Sequence, residues 1–535
     1  MSVVNPNEAK TVERLSGRYD SLKSARANFE NLWQEVVRFI CPDRADFTVK
    51  QAKGANRYGK LLTSVGIESA QFLAASLNGM MTDPSAKWFL LKFAGNAFVS
   101  EPWQNWLSEC NEIFWYELYS PAANFGQALN ETYFDDVSLN TSLMYTGWNE
   151  KRNGLMFQAR TVAECVVDEN ADGVIDCLFR KFSMSARQLV QEFPAFKFDE
   201  KIVKEAEDGK VDCQYSVLHA IVPNVDEKDG FAFKSVYMLM NGKRILKEEP
   251  YHEFPYAVTR WGKTPGELYG RGPGIASLSE LRMLQDVMVS YLIAAQKAAD
   301  PPMIMQAEET FMPGATRPGG VLRYESTPPV AFEAGANFQV SEHIIDRSTT
   351  SVRKMFMNDR LADVLGDRAT ATEVIQIVRE NARVLGPIYW RQVSEKLNPI
   401  LTRAFNLCLR HGKFPPFPGS PEGVGIDIEY ISPMAQAFKY EKADRMNQAF
   451  AASAAFMQVD PQSAVLIDAQ KAVRQMFEIY GVRDTLRSQS DVDEILARQA
   501  QAAAKAQSVA DAGTALELEG MQNDVKAQEE ALNND

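Results

Sequence analysis

The chain has 535 residues, 45% of them apolar, with 30 Phe, 17 Tyr and 8 Trp, enough material for about two to four packed domains and too much for a disordered polymer. A formal net charge of −13 argues against a protein that grips nucleic acid through a basic face, but not against one past which nucleic acid slides. With no apolar run near the roughly 18 residues of a membrane span, no basic-then-apolar leader in "MSVVNPNEAK", and scattered cysteines lacking any CxxC pair, a soluble chain folded in a reducing cytosol is expected.

Residues 8 to 160 read mainly as helices. In "ERLSGRYDSLKSARANFENLWQEVVRFICP", Leu15, Tyr19, Leu22, Phe29, Leu32, Val36 and Phe39 recur near helical spacing, and the pattern stops at Pro42. "SVGIESAQFLAASLNGMMTDPSAKWFLL" gives a second helix, closed by Asn78-Gly79 and Asp83-Pro84, and "EPWQNWLSECNEIFWYELYS" an aromatic-rich third. From about 157 to 260 the texture changes to short β-type runs: "FQARTVAECVV", "VIDCLFRKFSM", "YSVLHAIVP", "FKSVYMLMNGKRIL" and "FPYAVTRW". Asn241-Gly242 marks a hairpin among them, and "SARQLVQEFP" is a short inserted helix.

"YGRGPGIASLSELRMLQD" then opens a long helix predicted over 277–299. A Pro/Gly-rich, β-flavoured insert follows from Pro301 to Val340, then a helix from Glu342 to Arg360 and the short break "LADVLGDRAT". A very long helical pattern runs from Thr372 to Arg410, interrupted at Gly386-Pro387 and Pro399. "GIDIEYISP" is one more strand, residues 438 to 508 read as helices, and the polar, acidic tail from about 509 is expected to be flexible. The fold class is α+β, mainly helical.

Three stretches imitate chemical motifs. Gly270, Gly272 and Gly274 stand before a helix, as a phosphate-cradling loop would. The dinucleotide fingerprint, however, needs G-x-G-x-x-G inside a βαβ unit, and here the glycines alternate with Pro273 between the last two. Ser277 and Glu280 read as a capping box, so a sharp turn into a capped helix is expected. Gly262-Lys263-Thr264 ends like a Walker A motif, but its first glycine would fall at Ala257 and Pro265 breaks the helix that should hold phosphate. "DENADGVIDCLF" matches a calcium loop at Asp168, Asn170, Asp172, Gly173, Ile175 and Asp176. Phe179 stands where a bidentate Glu should close the site, so a β-hairpin turn is expected. The histidines His219, His252, His343 and His411 are isolated. No catalytic residue, metal or cofactor is expected, and the chain does not read as an enzyme.

The order helix, Pro/Gly insert, helix, short loop, long proline-kinked helix over 250–411 is the informative feature. Its carriers are "ELYGRGPGIASLSELRMLQDVMVSYLIAAQKAADPPMIM" and "RATATEVIQIVRENARVLGPIYWRQVSEKLNPILTRAF". In these stretches, and in element order along nearly the whole chain, the sequence resembles the portal, or head-to-tail connector, proteins of short-tailed bacteriophages. The resemblance implies a portal fold: a wing over 1–270, a first stem helix over 271–300, a β-containing clip over 301–341 and a second stem helix over 342–360. A tunnel loop over 361–371 follows, then the wing again over 372–437 and a helical crown over 438–508. It places Arg360, Asp363, Asp367 and Arg368 at the DNA channel, and Arg317, Arg323 and Tyr324 on the clip face offered to motor and adaptor.

A first stem helix of 277–299 would span about 35 Å at 1.5 Å per residue, enough to line a channel. Its apolar stripe includes Leu281, Leu284, Met288 and Leu292, expected to pack the stem. The resemblance further implies a dodecameric ring at one capsid vertex, assembled in the host cytoplasm, through which double-stranded DNA is packaged and ejected. Its partners would be the terminase large subunit, major capsid and scaffolding proteins, and tail adaptor proteins. The acidic balance fits a wall that repels phosphate over most of its area, because a basic tunnel would bind DNA and brake it. Two other readings stay open: another multisubunit virion or tail component, and a nucleotide-binding enzyme built on Gly270 to Gly274.

Overall fold

The computed structural model describes residues 6–502 apart from 53, 95–100, 210–212, 225–229, 300–302, 305–329, 332–337, 360–383, 419–424, 437–444, 454–466, 480–491, 493–494 and 500. The chain divides into two compact units, Met1–Ala437 and Phe438–Asp535.

The larger unit begins with helices α1 (Pro6–Ala25), α2 (Ala27–Phe39) and α3 (Val65–Met81). Ala70, Leu73, Ala74, Leu77 and Met81 recur at helical spacing on α3 and are all buried. Strand β1 (Phe89–Phe93) precedes α4 (Glu101–Tyr119) and α5 (Phe125–Ser138), and α5 packs on α3. Then come β2 (Thr141–Asn149) and β3 (Gly154–Arg160), which with β9 (Tyr256–Arg260) form an antiparallel sheet in the order β3-β2-β9. The sequence reading took 8–160 as mainly helical and named no strand at 141–149. The strand there is paired on both sides, by β3 and β9, and nearly every position is buried, so no period of hydrophobicity announces it.

Between β3 and β9 the chain builds an antiparallel meander of β4 (Cys165–Glu169), β5 (Ile175–Ser185), β6 (Gln214–Pro223), β7 (Phe233–Leu239) and β8 (Arg244–Tyr251). Alternation gives this sheet two apolar faces. Val166, Cys177, Phe179, Leu218, Ala220, Val236 and Met238 pack under Val12, Leu15 and Tyr19 of α1. Val217, Leu239 and Leu246 pack on Ala186, Leu189, Phe193 and Ile202, contributed by α6 (Ala186–Glu192), α7 (Glu200–Glu207) and the link between them. Ser185 caps α6 in a reciprocal box with Gln188.

The calcium-loop lookalike is the β4–β5 turn. Asn170 Oδ1 accepts from the Asp172 and Val174 amides at 3.0 Å, and Gly173 supplies φ +76°. Two of its acids are already engaged: Asp168 with Arg18 at 2.9 Å, Glu169 with Arg260 and Lys263 at 2.8 Å each.

After β9 the chain forms the short helix α8 (Pro273–Ala276), the long helix α9 (Leu278–Ala299), strands β10 (Met303–Ile304) and β11 (Val330–Ala331), and α10 (Phe338–Met355). Residues 384–391 are helical and lead into a π-helical stretch, Gln392–Leu397, and α11 (Asn398–Arg410), with Pro399 in its first turn. Strand β12 (Ile426–Tyr430) returns to pair with β1 in the register Phe89↔Tyr430 to Phe93↔Ile426. In the second unit, α12 (Ala469–Ile479) starts at Asp468, whose Oδ1 accepts from the Lys471 amide at 2.9 Å, and residues 445–453 and 495–499 are helical. The tail expected to be flexible lies outside the described residues.

Candidate functional site: the root of a two-helix hairpin

Helix α5 ends where Asn140 takes a left-handed conformation, φ +59°. Its Nδ2 donates back to the Asp136 and Val137 carbonyls at 3.2 and 3.0 Å, closing the helix. Its other polar atoms reach across 121 and 135 residues of chain. The Asn140 carbonyl accepts from the Trp261 amide at 3.1 Å, and Oδ1 accepts from the Ile275 amide at 3.2 Å. One residue therefore ties a helix end and the start of the hairpin through its side chain, and the chain after β9 through its carbonyl.

The alternating glycines are explained by this junction. A Cβ on Gly270 would sit 2.0 Å from the Asn140 carbonyl oxygen, and one on Gly274 only 1.8 Å from that of Ser138. On Gly272 it would meet the Trp261 ring at 2.6 Å. Amides that a phosphate loop would aim at an anion are spent on the protein: Gly270 N–H on Thr141 Oγ1 at 3.0 Å, Arg271 N–H on the Gly262 carbonyl at 2.9 Å. Close backbone approach, not phosphate, is what the glycines serve. Beneath them, Tyr269 meets Trp33 edge-on at 5.0 Å, and Trp33 Nε1 donates to the Leu139 carbonyl at 2.9 Å.

The expected capping box at Ser277 does not form. Helical structure begins earlier, with Pro273 in its first turn and Gly272 as the extended cap, so Ser277 lies between α8 and α9. Its hydroxyl donates to the Gly274 carbonyl at 3.2 Å instead of accepting from residue 280.

Helix α9 is anchored only along its first turns. Leu278, Leu281 and Leu284 are buried, Leu281 against Gly66 of α3. Gln285 donates to the Lys60 carbonyl at 2.9 Å and accepts from the Leu62 amide at 3.2 Å, and Arg282 pairs with Glu35. Further along, α9 packs on α10: Tyr291 donates to Glu342 at 3.3 Å and meets Phe338 edge-on at 5.6 Å. These contacts make the pair antiparallel, and β10 continues it by pairing with β11, Met303↔Ala331 and Ile304↔Val330. Val352 and Phe356 at the foot of α10 are fully buried, where α10 meets α3.

Of the four residues expected to pack the stem, Leu281 and Leu284 are buried and Met288 is half-buried. Leu292 is not packed within the single chain: it is 40% exposed, beside Val289 at 40% and Ile293 at 47%. The reason is geometric. Helix α9, about 33 Å long, outruns the core, and one neighbouring helix covers only a sector of its surface. Arg360, Asp363, Asp367 and Arg368, and likewise Arg317, Arg323 and Tyr324, lie outside the described residues.

Below the root, Lys396 of the π-helical stretch and Asp136 of α5 form an ion pair with both side chains almost entirely out of solvent. Burial pushes the Asp136 carboxyl up and the Lys396 ammonium down, each opposed by the other's charge. The Lys396 ammonium also lies 4.0 Å from the Tyr133 ring centre. Arg260, at the end of β9, joins Glu395 of the same stretch at 2.9 Å and Glu169 of the β4–β5 turn at 2.8 Å. No regularity of the sequence announces Asn140, Lys396 or Arg260, because each reaches a partner more than 90 residues away.

No group of three or more His, Cys, Asp or Glu able to hold a metal occurs among the described residues, and none of their helices is long and apolar enough to cross a membrane.

The sequence is 25% identical over 453 residues to the "Probable portal protein" of Bordetella phage BPP-1, covering 80% of each chain. It is 25% identical over 518 residues to the "Portal protein" of Salmonella phage epsilon15, covering 92% of each. Among solved structures, a chain of the virion of a native gene transfer agent particle matches weakly, at 12% identity and a TM-score of 0.35, over 75% of this chain and 91% of that one. The sequence model for bacteriophage head to tail connecting proteins matches residues 12–487, and the chain belongs to that family.

Proposed function

We propose that copies of this chain close into a dodecameric ring at one capsid vertex, through which DNA is packaged and ejected. The observation that carries this reading is the family match across residues 12–487. The hairpin supports it, since an anchored root with an apolar outward stripe on α9 needs a further surface to cover it. In this reading α9 and α10 are the two stem helices, and 301–341 is the clip that docks the terminase large subunit and later the tail adaptors. The loop at 361–371 borders the channel, and 438–508 forms the crown. Capsid and scaffolding proteins surround the ring, which performs no chemistry; the motor supplies the work. Negative-stain images of the purified chain test it: rings with a central hole are expected, with no ATP hydrolysis by the same preparation. A stable, monodisperse monomer at micromolar concentration would overturn it.

A further inference from the structure

The edge strand β3 ends on a charge without a counter-charge. Arg160 closes β3 opposite Leu143 of β2 and is half-buried. Among the described residues its guanidinium makes one hydrogen bond, from Nη2 to Gln158 Oε1, and no ion pair. Its Nε is buried with no acceptor at all. Glu164, the acid whose charge Arg160 feels, is already committed: it accepts from Arg180 Nε at 3.0 Å. The Arg180 guanidinium itself lies over the Phe182 ring at 4.1 Å. Burial first, and the charge of Arg180 second, push Arg160 down from its ordinary value.

Two guanidinium groups therefore stand near one carboxylate, which pairs with Arg180 and not with Arg160. Desolvating a guanidinium without a partner is costly, and its planar fork of donors matches a carboxylate or phosphate edge better than any neutral acceptor. The neighbours that Arg160 senses besides Arg180 and Glu164 are Tyr256 and Cys165, both buried and both neutral near pH 7, since burial pushes the tyrosine well up and the thiol to about 12. Nothing of this set supplies the missing negative charge. We propose that Arg160, beside the Arg180–Glu164 pair, anchors a binding site for a small oxyanion whose oxygens accept from its unused Nη donors, which unlike Nε are not closed off from solvent. The oxyanion is either free phosphate or a carboxylate brought by a second copy of the chain. This inference stands on the β3 edge alone and does not depend on the ring or the DNA channel.

The probe is inorganic phosphate. The full chain is melted in buffers free of oxyanions, with phosphate titrated against chloride at matched ionic strength, at protein concentrations below and above self-association. For the natural chain, phosphate raises the melting temperature saturably over chloride in the dilute sample. If the natural occupant is a carboxylate of a second copy, that response vanishes at the higher concentration; if it is free phosphate, it persists. Arg160→Met abolishes the response, and in chloride this variant melts no lower than the natural chain, because an uncompensated charge is gone. Arg160→Lys, which keeps the charge but not the fork, needs at least several-fold more phosphate for the same shift, and it serves if the Met variant does not fold. No phosphate response in the dilute natural chain, or an equal response in Arg160→Met or Arg160→Lys, would overturn the proposal.

Discussion

Gly274 carries the sharpest consequence at the scale of single residues. A methyl group there would lie 1.8 Å from the backbone carbonyl oxygen of Ser138, and backbone at a helix end cannot swing aside as a side chain can. Gly274→Ala is expected to cost about 3 kcal/mol or more, beyond the usual penalty for overpacking. Gly79→Ala, on an exposed turn of α3 with nothing within 4 Å of the new carbon, should gain roughly 0.5–1 kcal/mol from helix propensity. Urea denaturation of both variants checks the contrast; equal effects would mean that the glycines of 270–274 are not there for close approach. His219 makes a separate prediction. It is buried, stacked on Tyr237 at 3.8 Å and bonded to Ser235 Oγ at 2.9 Å, and burial pushes it down to about 3. Below its ordinary value of 6.5 the unfolded chain takes up a proton that the folded chain refuses. Stability from this group is therefore complete above pH 6.5 and is lost progressively as pH falls toward 3. His219→Gln, which keeps a partner for Ser235, should flatten the melting temperature over that window and leave it nearly unchanged above pH 7.

At the scale of elements, the long helix after 277, the meander and the final strand were all legible in the sequence, because an amphipathic helix prints its period on the residues and the strands are β-branched and aromatic runs bounded by turn residues such as Asn241-Gly242. Strands β1 and β2 were not, since Phe89–Phe93 and Thr141–Asn149 are short or buried on both faces. The root of the hairpin was half legible. The glycines marked the place, but their reason lies at Ser138 and Asn140, which no spacing rule connects to them. The π-helical stretch Gln392–Leu397 and its Lys396–Asp136 pair were invisible for the same reason. That pair can be tested by removing one partner and then both. Lys396→Met leaves a buried carboxylate alone and should cost about 3–5 kcal/mol, whereas adding Asp136→Leu should recover most of it. A double variant no more stable than the single one would show that the pair contributes more than it costs to desolvate. The outward stripe of α9 makes the opposite kind of prediction. Leu292→Asp with Ile293→Asp should change the stability of the single chain by no more than about 0.5 kcal/mol, since both positions are exposed there. Sedimentation should nevertheless show assembly lost; unchanged rings would move the subunit interface elsewhere.

For the whole molecule, the acidic surplus and the family membership join in one expectation about the channel. The proposed tunnel loop holds Asp363, Asp367 and Arg368, and a ring repeats each contact once per copy. Arg368→Glu should leave rings intact under the microscope while packaged heads retain less DNA. Equal retention would take this loop out of the DNA path. The pairing of β1 with β12 has a different consequence, one of time. Phe89 must find Tyr430, and Trp88, fully buried in the finished fold, stacks on both Phe125 and Tyr430. At roughly 5–20 residues per second of synthesis, the first strand waits on the order of tens of seconds for its partner. Throughout that wait it presents an open edge beside a tryptophan still lacking its Tyr430 neighbour, next to neighbouring chains on the same messenger that offer the identical β12. The two hairpin helices emerge and fold during the delay without closing the edge. Translation rate, rather than final stability, then decides how many chains close on themselves and how many exchange strands.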